Sequence, residues 1–342
     1  MAGIVAGGPT TSLGGVSSSL WPVSGDADGI RALLAEWDAA DDPAPLVIET
    51  SGSTGRPKRV MLSRAAMRAS ADATHARLGG PGRWELNLPP TYVAGVQVLY
   101  RTLRAGETDR RYLSLVPTQL VRLLRDWGDG ADFPALTDFD AVLVGGGPLD
   151  AEVRAEVESH GVRIVQTYGM SETCGGCVYD GVPLDGVQVR IEDDGQVLLR
   201  GPMLFDGYEG EPERTAAAFR DGWLVTDDLG HWADDGRLRI DGRVDDVIIS
   251  GGVNVPAQAV AAMVARHTAV RAVEVVGVPD AEWGERVVAV MAPRDPVSLA
   301  SVRDLVEPRA WAPRQLVVVP EIPLLPNGKP DREAMKKLAL DG

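Results

Sequence analysis

Only two cysteines occur in 342 residues, Cys174 and Cys177, and no second pair accompanies them. A structural zinc site takes about four thiolate or imidazole ligands, so this C-x-x-C arrangement cannot build one alone. Gly175 and Gly176 stand between the two, which suggests a loop carrying reduced, structural thiols. No apolar run approaches the roughly 18 residues that mark a membrane span. The first residues, Met1 to Ser19, are rich in Gly, Ser and Thr and lack both a basic start and a long apolar core. No secretory signal is expected, and the cytoplasm is the expected location. Positive charge is scarce too: 34 Lys and Arg against 49 Asp and Glu leave a formal net charge of −15. So acidic a surface disfavours nucleic acid and anionic membranes as partners. Local clusters of Arg, Lys and backbone N–H can still hold small anions.

What is present is ordinary for a globular protein, with 44% hydrophobic and 24% charged residues. The length suggests two domains. Strands are expected at 45–48, 83–88, 141–144, 163–166 and 196–200, and helices at 29–37, 63–78, 96–103, 117–126 and 151–160. That alternation predicts an α/β architecture of helix-covered sheets. Beyond Gly222 the texture turns to Asp/Gly-rich hairpins, with turns expected at 234–236 and 240–242. Three β-rich runs follow at 272–278, 286–291 and 315–319, with helices at 257–267 and 299–306. These form a small α+β unit whose boundary falls between Arg243 and Asp246.

The segment Glu49-Thr50-Ser51-Gly52-Ser53-Thr54-Gly55-Arg56-Pro57-Lys58 carries the strongest chemical signal. Glycines let backbone N–H groups close around an anion, and hydroxyls and cations can contact phosphate oxygens. It is not a Walker loop, which needs four residues between its glycines and Ser or Thr after its lysine. A second segment, Tyr168-Gly169-Met170-Ser171-Glu172-Thr173, offers a ring, a hydroxyl and a carboxylate at a strand end. The turn Gly145-Gly146-Gly147-Pro148 is another strand-to-helix corner of the kind where α/β folds bind ligands. Asp227 and Asp228 end an extended run, where a carboxylate commonly grips ribose hydroxyls. Arg243-Val244-Asp245-Asp246 leads to Gly251-Gly252, and Pro326-Asn327-Gly328-Lys329 places a lysine near the C-terminus.

These segments, in this order, resemble the adenylate-forming superfamily of acyl-CoA synthetases, aryl-acid and amino-acid adenylating domains and luciferases. The resemblance covers about Pro45 to Lys337. It implies a large N-terminal ATP- and acid-binding domain, 1–244, and a small mobile C-terminal domain, 245–342, with Asp245 as the hinge. By that resemblance Thr50, Ser51, Gly52, Ser53, Thr54, Gly55 and Lys58 hold the β- and γ-phosphates. Tyr168, Gly169 and Met170 line the adenine site with Gly145, Gly146 and Gly147. Ser171 contacts the α-phosphate, Glu172 binds magnesium, Asp228 meets the ribose, and Arg243 assists at the ribose or phosphate. Lys329 enters the site to stabilise charge during adenylation, and Gly251 and Gly252 form the approach for CoA. The residue before the ribose aspartate is commonly Gly in the family; here it is Asp227.

Within the superfamily the chain most resembles the short o-succinylbenzoate–CoA ligases of menaquinone biosynthesis. The phosphate loop begins near residue 50, whereas most members carry a long preceding region. The segments 88–97, 112–120 and 171–180 look like that subgroup, and they nominate Tyr92, Gln97, Ser114 and Thr118 for the acid pocket. The expected cofactors are ATP and Mg²⁺, with a carboxylate and CoA as small-molecule partners; a homodimer is left open. A carrier-protein-loading aryl-acid adenylating enzyme and a non-catalytic nucleotide-binding relative are the rival readings. Between Gly106 and Arg110 the subgroup pattern calls for a further strand and helix, and the chain passes almost directly to Arg111–Leu115.

Overall fold

A computed structural model describes residues 20–50, 57–128, 135–325 and 330–341, with the backbone alone at 125–128, 135 and 245. Four strands, Arg83–Glu85, Arg111–Leu115, Ala141–Gly145 and Ile164–Met170, lie parallel in that order. The antiparallel strands Gly175–Tyr179 and Val182–Pro183 extend the sheet. Parallel neighbours need a crossover, and the helices Val93–Ala105, Pro117–Gly128 and Ala151–Ser159 supply the three.

Side chains alternate across this sheet, and its two faces bury different sets. Leu113, Leu115, Val142, Val144 and Ile164 pack with Leu120, Leu124 and Val157. Tyr112, Ala141, Leu143 and Val165 pack on the opposite face with Leu78, Trp84 and Val98. Strands buried on both faces read as continuous apolar runs, which is why 141–144 was legible as Ala-Val-Leu-Val.

A small sheet joins Trp21–Pro22, Leu46–Thr50, Lys58–Leu62 and Gly207–Tyr208. Its central pairing puts Thr50 opposite Lys58, so register brings together the two flanks of the glycine-rich segment. An antiparallel sheet of Gln188–Ile191, Gln196–Arg200, Trp223–Trp232, Phe219–Arg220 and Leu238–Arg243 follows. The C-terminal sheet joins Val253–Pro256, Val247–Ser250, Gly284–Pro293, Val270–Asp280 and Gln315–Val318. The helix Ala257–Val264 covers one face through Val260 and Val264, and Arg332–Asp341 covers the other through Met335 and Ala339. Every residue of these last two buried clusters lies at Ile248 or beyond, whereas the preceding clusters end at Leu238.

Two expectations are corrected. Residues 240–242 are not a turn: they lie in the strand Leu238–Arg243, which pairs with Trp223–Trp232 through a register shift at Leu229/Gly230. The glycine there relieves crowding, since a Cβ on Gly230 would sit 2.5 Å from the Arg239 carbonyl oxygen. Gly175 and Gly176 open a strand rather than a loop, and Cys174 and Cys177 are both buried free thiols. Burial pushes the Cys177 thiol up to about 12, with Cys174 higher still, which keeps both thiols protonated at neutral pH. The direct passage read at Gly106–Arg110 is what the structure shows, with no further strand or helix between those residues. The helix Val93–Ala105 returns directly to Arg111–Leu115, and Arg83 N–H donates to the Arg110 carbonyl at 2.9 Å. Arg83–Glu85 is therefore an edge strand.

Candidate active site

The carboxyl ends of Ala141–Gly145 and Ile164–Met170 meet at the triple-glycine turn. A side chain at Gly145 would collide with Thr167 Oγ1 at 2.3 Å, and Gly146 sits at φ +82°. Gly169 is equally constrained, because a Cβ there would lie 2.1 Å from the Gly175 carbonyl oxygen. Bare backbone thus borders the site where the resemblance places adenine.

Tyr168 projects from the strand end and donates its hydroxyl to Asp228 Oδ2 at 2.7 Å. Burial, with the Asp228 carboxylate beside it, holds that phenol well above its ordinary pKa, so it stays a donor. Asp228 is nearly buried and faces Arg243 across paired strands, with Arg243 Nη1 3.6 Å away. Arg243 Nη2 also reaches Asp227 Oδ2 at 3.2 Å. The residue that departs from the family pattern therefore adds a second carboxylate to Arg243. That pair is exposed and contributes under about 1 kcal/mol.

Glu172 lies in a short 3₁₀ turn, Ser171–Thr173, held by the buried Thr173 hydroxyl, which donates to the Gly175 carbonyl at 2.7 Å. The Glu172 carboxylate accepts from Tyr208 Oη at 2.8 Å through Oε1, and Lys58 Nζ stands 3.9 Å from the same oxygen. Oε2 takes no hydrogen bond from any described residue. Ser171 is half-buried beside it. Thr50 and Lys58 flank the glycine-rich segment, whereas Ser51, Gly52, Ser53, Thr54 and Gly55 lie outside the described residues, as does Lys329. The short 3₁₀ turn Val244–Asp246 contains Asp245. Gly251 and Gly252, at φ +60° and +76°, make the two-residue hairpin turn between Val247–Ser250 and Val253–Pro256. The Gly251 N–H donates to the Trp283 carbonyl, and a Cβ at Gly251 would meet the Trp283 ring at 2.7 Å.

The four nominated acid-pocket residues divide. Tyr92 caps the helix Val93–Ala105 without a side-chain hydrogen bond, and Gln97 is buried one turn further in. The Gln97 amide donates to the Cys174 carbonyl at 2.8 Å, so it sits directly behind the Glu172 turn. Ser114, on the Tyr112 side of its strand, shares the sheet face that this helix covers. Thr118 belongs to the helix on the other face, where the neighbouring Pro117 ring stands beside the backbone of Gly147.

Sequence reasoning missed Arg101, one helical turn beyond Gln97 on the same face. It is 4% exposed, and no hydrogen bond or ion pair joins it to any described residue. Its guanidinium lies 5.0 Å from the Trp84 ring centroid. His75 Nε2, Trp84 Nε1, Gln97 Oε1 and Arg101 Nε are all buried without a partner in this layer. Burial, then the nearby Arg101 charge, pulls the His75 pKa down to about 4. The unfolded chain therefore takes up this proton first as pH falls, so His75 costs stability progressively from about pH 6.5 towards 4. His75→Asn should flatten that part of the acid slope in thermal denaturation, and an unchanged slope would show that His75 is not its source. The signal for Arg101 in the sequence was faint: an arginine spaced i+4 from Gln97 on an otherwise apolar helix face.

The glycine-bordered end of the strand Ile164–Met170 thus carries a tyrosine–aspartate–arginine chain, followed directly by a carboxylate beside a lysine. Residues 107–209 match the family model described as AMP-binding enzyme, and residues 259–329 match the AMP-binding enzyme C-terminal domain. The chain belongs to this AMP-binding, adenylate-forming family. It is 40% identical to a probable 2-succinylbenzoate–CoA ligase of Mycobacterium tuberculosis, over 94% of this chain and 92% of the relative. It is 29% identical to the 2-succinylbenzoate–CoA ligase of Listeria monocytogenes over 90% of this chain and 72% of that one. The o-succinylbenzoate–CoA synthetase of Bacillus subtilis, solved with its acyl-adenylate intermediate, superposes with a TM-score of 0.74 at 27% identity. That match covers 86% of this chain and 69% of the solved one. The same synthetase has been solved with ATP and a magnesium ion. The Mycobacterium alignment runs to 355 positions, longer than this 342-residue chain, so that relative carries residues with no counterpart here.

Proposed function

We propose that the protein is an ATP-dependent 2-succinylbenzoate–CoA ligase of menaquinone biosynthesis. It joins the substrate's aliphatic carboxylate to CoA through an acyl-adenylate, releasing diphosphate and then AMP. The observation that carries the substrate choice is Arg101. A buried guanidinium without a carboxylate partner is costly to keep unless something anionic meets it. 2-Succinylbenzoate brings a second, aromatic carboxylate that is not activated. Gln97, bonded to the carbonyl behind the Glu172 turn, joins the Arg101 layer to the reaction centre. Ser114 on the same covered face is a further donor for that carboxylate.

Residues 1–244 form the ATP- and acid-binding domain and 245–342 the mobile one. In the first half-reaction an oxygen of the aliphatic carboxylate attacks the α-phosphorus of ATP, and diphosphate leaves. The 51–58 segment holds the β- and γ-phosphates, with Lys58 drawn from Glu172 towards them. Ser171 and Lys329 meet the α-phosphate, Tyr168 and the glycine turn the adenine, and Asp228 and Arg243 the ribose. The donors present suit magnesium. Glu172 offers one hard carboxylate oxygen, and no group of three or more His, Cys, Asp or Glu among the described residues could hold an ion alone. Magnesium takes most of its ligands from phosphates and water, and it would supply neutralisation of phosphate charge here. The protein's work is positioning and charge stabilisation rather than proton transfer. In the second half-reaction the C-terminal domain turns about Asp245, and the Gly251–Gly252 hairpin admits the CoA thiol, which displaces AMP. With ATP and CoA as its co-substrates, the cytoplasm is its place of action; among the described residues no helix is long and apolar enough to cross a membrane.

Asp245→Pro tests the hinge, because proline fixes φ where rotation is required. Diphosphate release in a single turnover should persist while CoA-thioester formation falls by about tenfold or more. Loss of diphosphate release instead would put the hinge elsewhere. Mass spectrometry of the acyl acceptor separates the CoA ligase from a carrier-loading enzyme, since only the former releases a free CoA thioester.

A further inference from the structure

Tyr208 belongs to none of the motifs that mark the site, yet it touches the carboxylate at the centre of it. It sits in the two-residue strand Gly207–Tyr208, which pairs with Lys58–Leu62 and puts Tyr208 opposite Val60. Its place is fixed from several sides. The Tyr208 N–H donates to Thr215 Oγ1 at 2.8 Å, and a side chain at Gly207 would strike that threonine at 2.6 Å. The ring stacks edge-on against Phe205 at 4.9 Å between centroids. Two cations approach the same ring, Arg214 at 4.9 Å and Lys58 at 5.7 Å from its centroid. The ring is 6% exposed, and its hydroxyl ends 2.8 Å from Glu172 Oε1.

The polarity of that contact follows from its chemistry. The Tyr208 hydroxyl is the group with a proton to give, so Tyr208 donates and Glu172 Oε1 accepts. A second tie fixes the turn beneath it, because Phe205 N–H donates to the Glu172 carbonyl at 2.9 Å. One carboxylate oxygen is thereby committed to Tyr208 and the rotation of the group is restricted. The other oxygen accepts nothing from the described residues.

We propose that Tyr208 is a positioning residue that holds the Glu172 carboxylate so that its second oxygen meets the divalent cation travelling with the nucleotide. This rests on the reading of Glu172 as the magnesium-binding carboxylate. Tyr208→Phe removes the hydroxyl and keeps the ring between Lys58 and Arg214. The test is calorimetric titration of the full chain with a non-hydrolysable ATP analogue, once in excess Mg²⁺ and once in EDTA, beside Glu172→Gln. Tyr208→Phe should weaken binding about tenfold in Mg²⁺, as expected for a lost hydrogen bond to a charged acceptor, and about twofold or less in EDTA. Glu172→Gln should erase most of the difference between the two conditions. Equal weakening of Tyr208→Phe in both conditions, or none in either, would overturn the proposal while Glu172→Gln upholds the reading of Glu172. If Glu172→Gln keeps the full Mg²⁺ effect, that reading falls and the role of Tyr208 falls with it.

Discussion

Lys329→Ala will reduce 2-succinylbenzoate-dependent diphosphate release by about 10²- to 10³-fold, the usual cost of losing one donor at a developing charge. Thioester formation from supplied acyl-adenylate and CoA will change far less, by about threefold or less, because a cation needed only for the first transition state is absent from the second. The asymmetry is the informative part. The described residues on either side of Lys329 are tied together, with Leu324 bridged to Pro330 and Asp331 N–H bonded to the Pro323 carbonyl at 2.9 Å. A change confined to the Lys329 side chain should leave the C-terminal sheet intact. Equal loss in both half-reactions would assign Lys329 a general structural role and remove the support for domain rotation.

Arg101→Met will lower kcat/KM for 2-succinylbenzoate by about 100-fold or more, because the ring carboxylate would then be buried without its partner. Methionine keeps much of the apolar stem that packs near Trp84, so the substitution addresses charge more than volume. Against the analogue lacking the ring carboxylate, the parent enzyme should favour 2-succinylbenzoate by hundreds-fold, and Arg101→Met should bring the two within about tenfold. A parallel fall for both acids would mean that Arg101 serves the Trp84 layer alone. A parent enzyme that barely discriminates would make the pocket simply hydrophobic and the enzyme a general aryl- or acyl-CoA ligase.

The residues proposed for the nucleotide were easier to nominate from the sequence than those proposed for the acid, for a physical reason. Tyr168, Glu172, Asp228 and Arg243 stand in short segments whose backbone shape and chemistry are specified together, and the fold unites Tyr168 with Asp228 across 60 residues. Gly145 and Gly169 were legible because crowding forbids a side chain at either. Arg101 and Tyr208 make contacts that no local spacing announces. An arginine in a helix reads as solvated until neighbouring helices and Trp84 are seen to enclose it, and Tyr208 meets Glu172 from 36 residues away. Elements in the first half were read closely: the helix expected at 63–78 forms as Arg64–Leu78, with Ser63 as its cap. Lys58–Leu62 escaped as a strand because its first two residues are cations, and only pairing with Leu46–Thr50 makes it one. The turn expected at 240–242 failed because Asp-Gly also suits a strand that shifts register beside Gly230.

The most direct test follows diphosphate release across a panel of acids, 2-succinylbenzoate, benzoates and fatty acids, with ATP and Mg²⁺, then adds CoA and weighs the product. The account predicts rapid release with 2-succinylbenzoate alone, followed by one free CoA thioester of 2-succinylbenzoate and one AMP per diphosphate. Release with benzoates or fatty acids but not with 2-succinylbenzoate, or nucleotide binding without acid-dependent release, would contradict it.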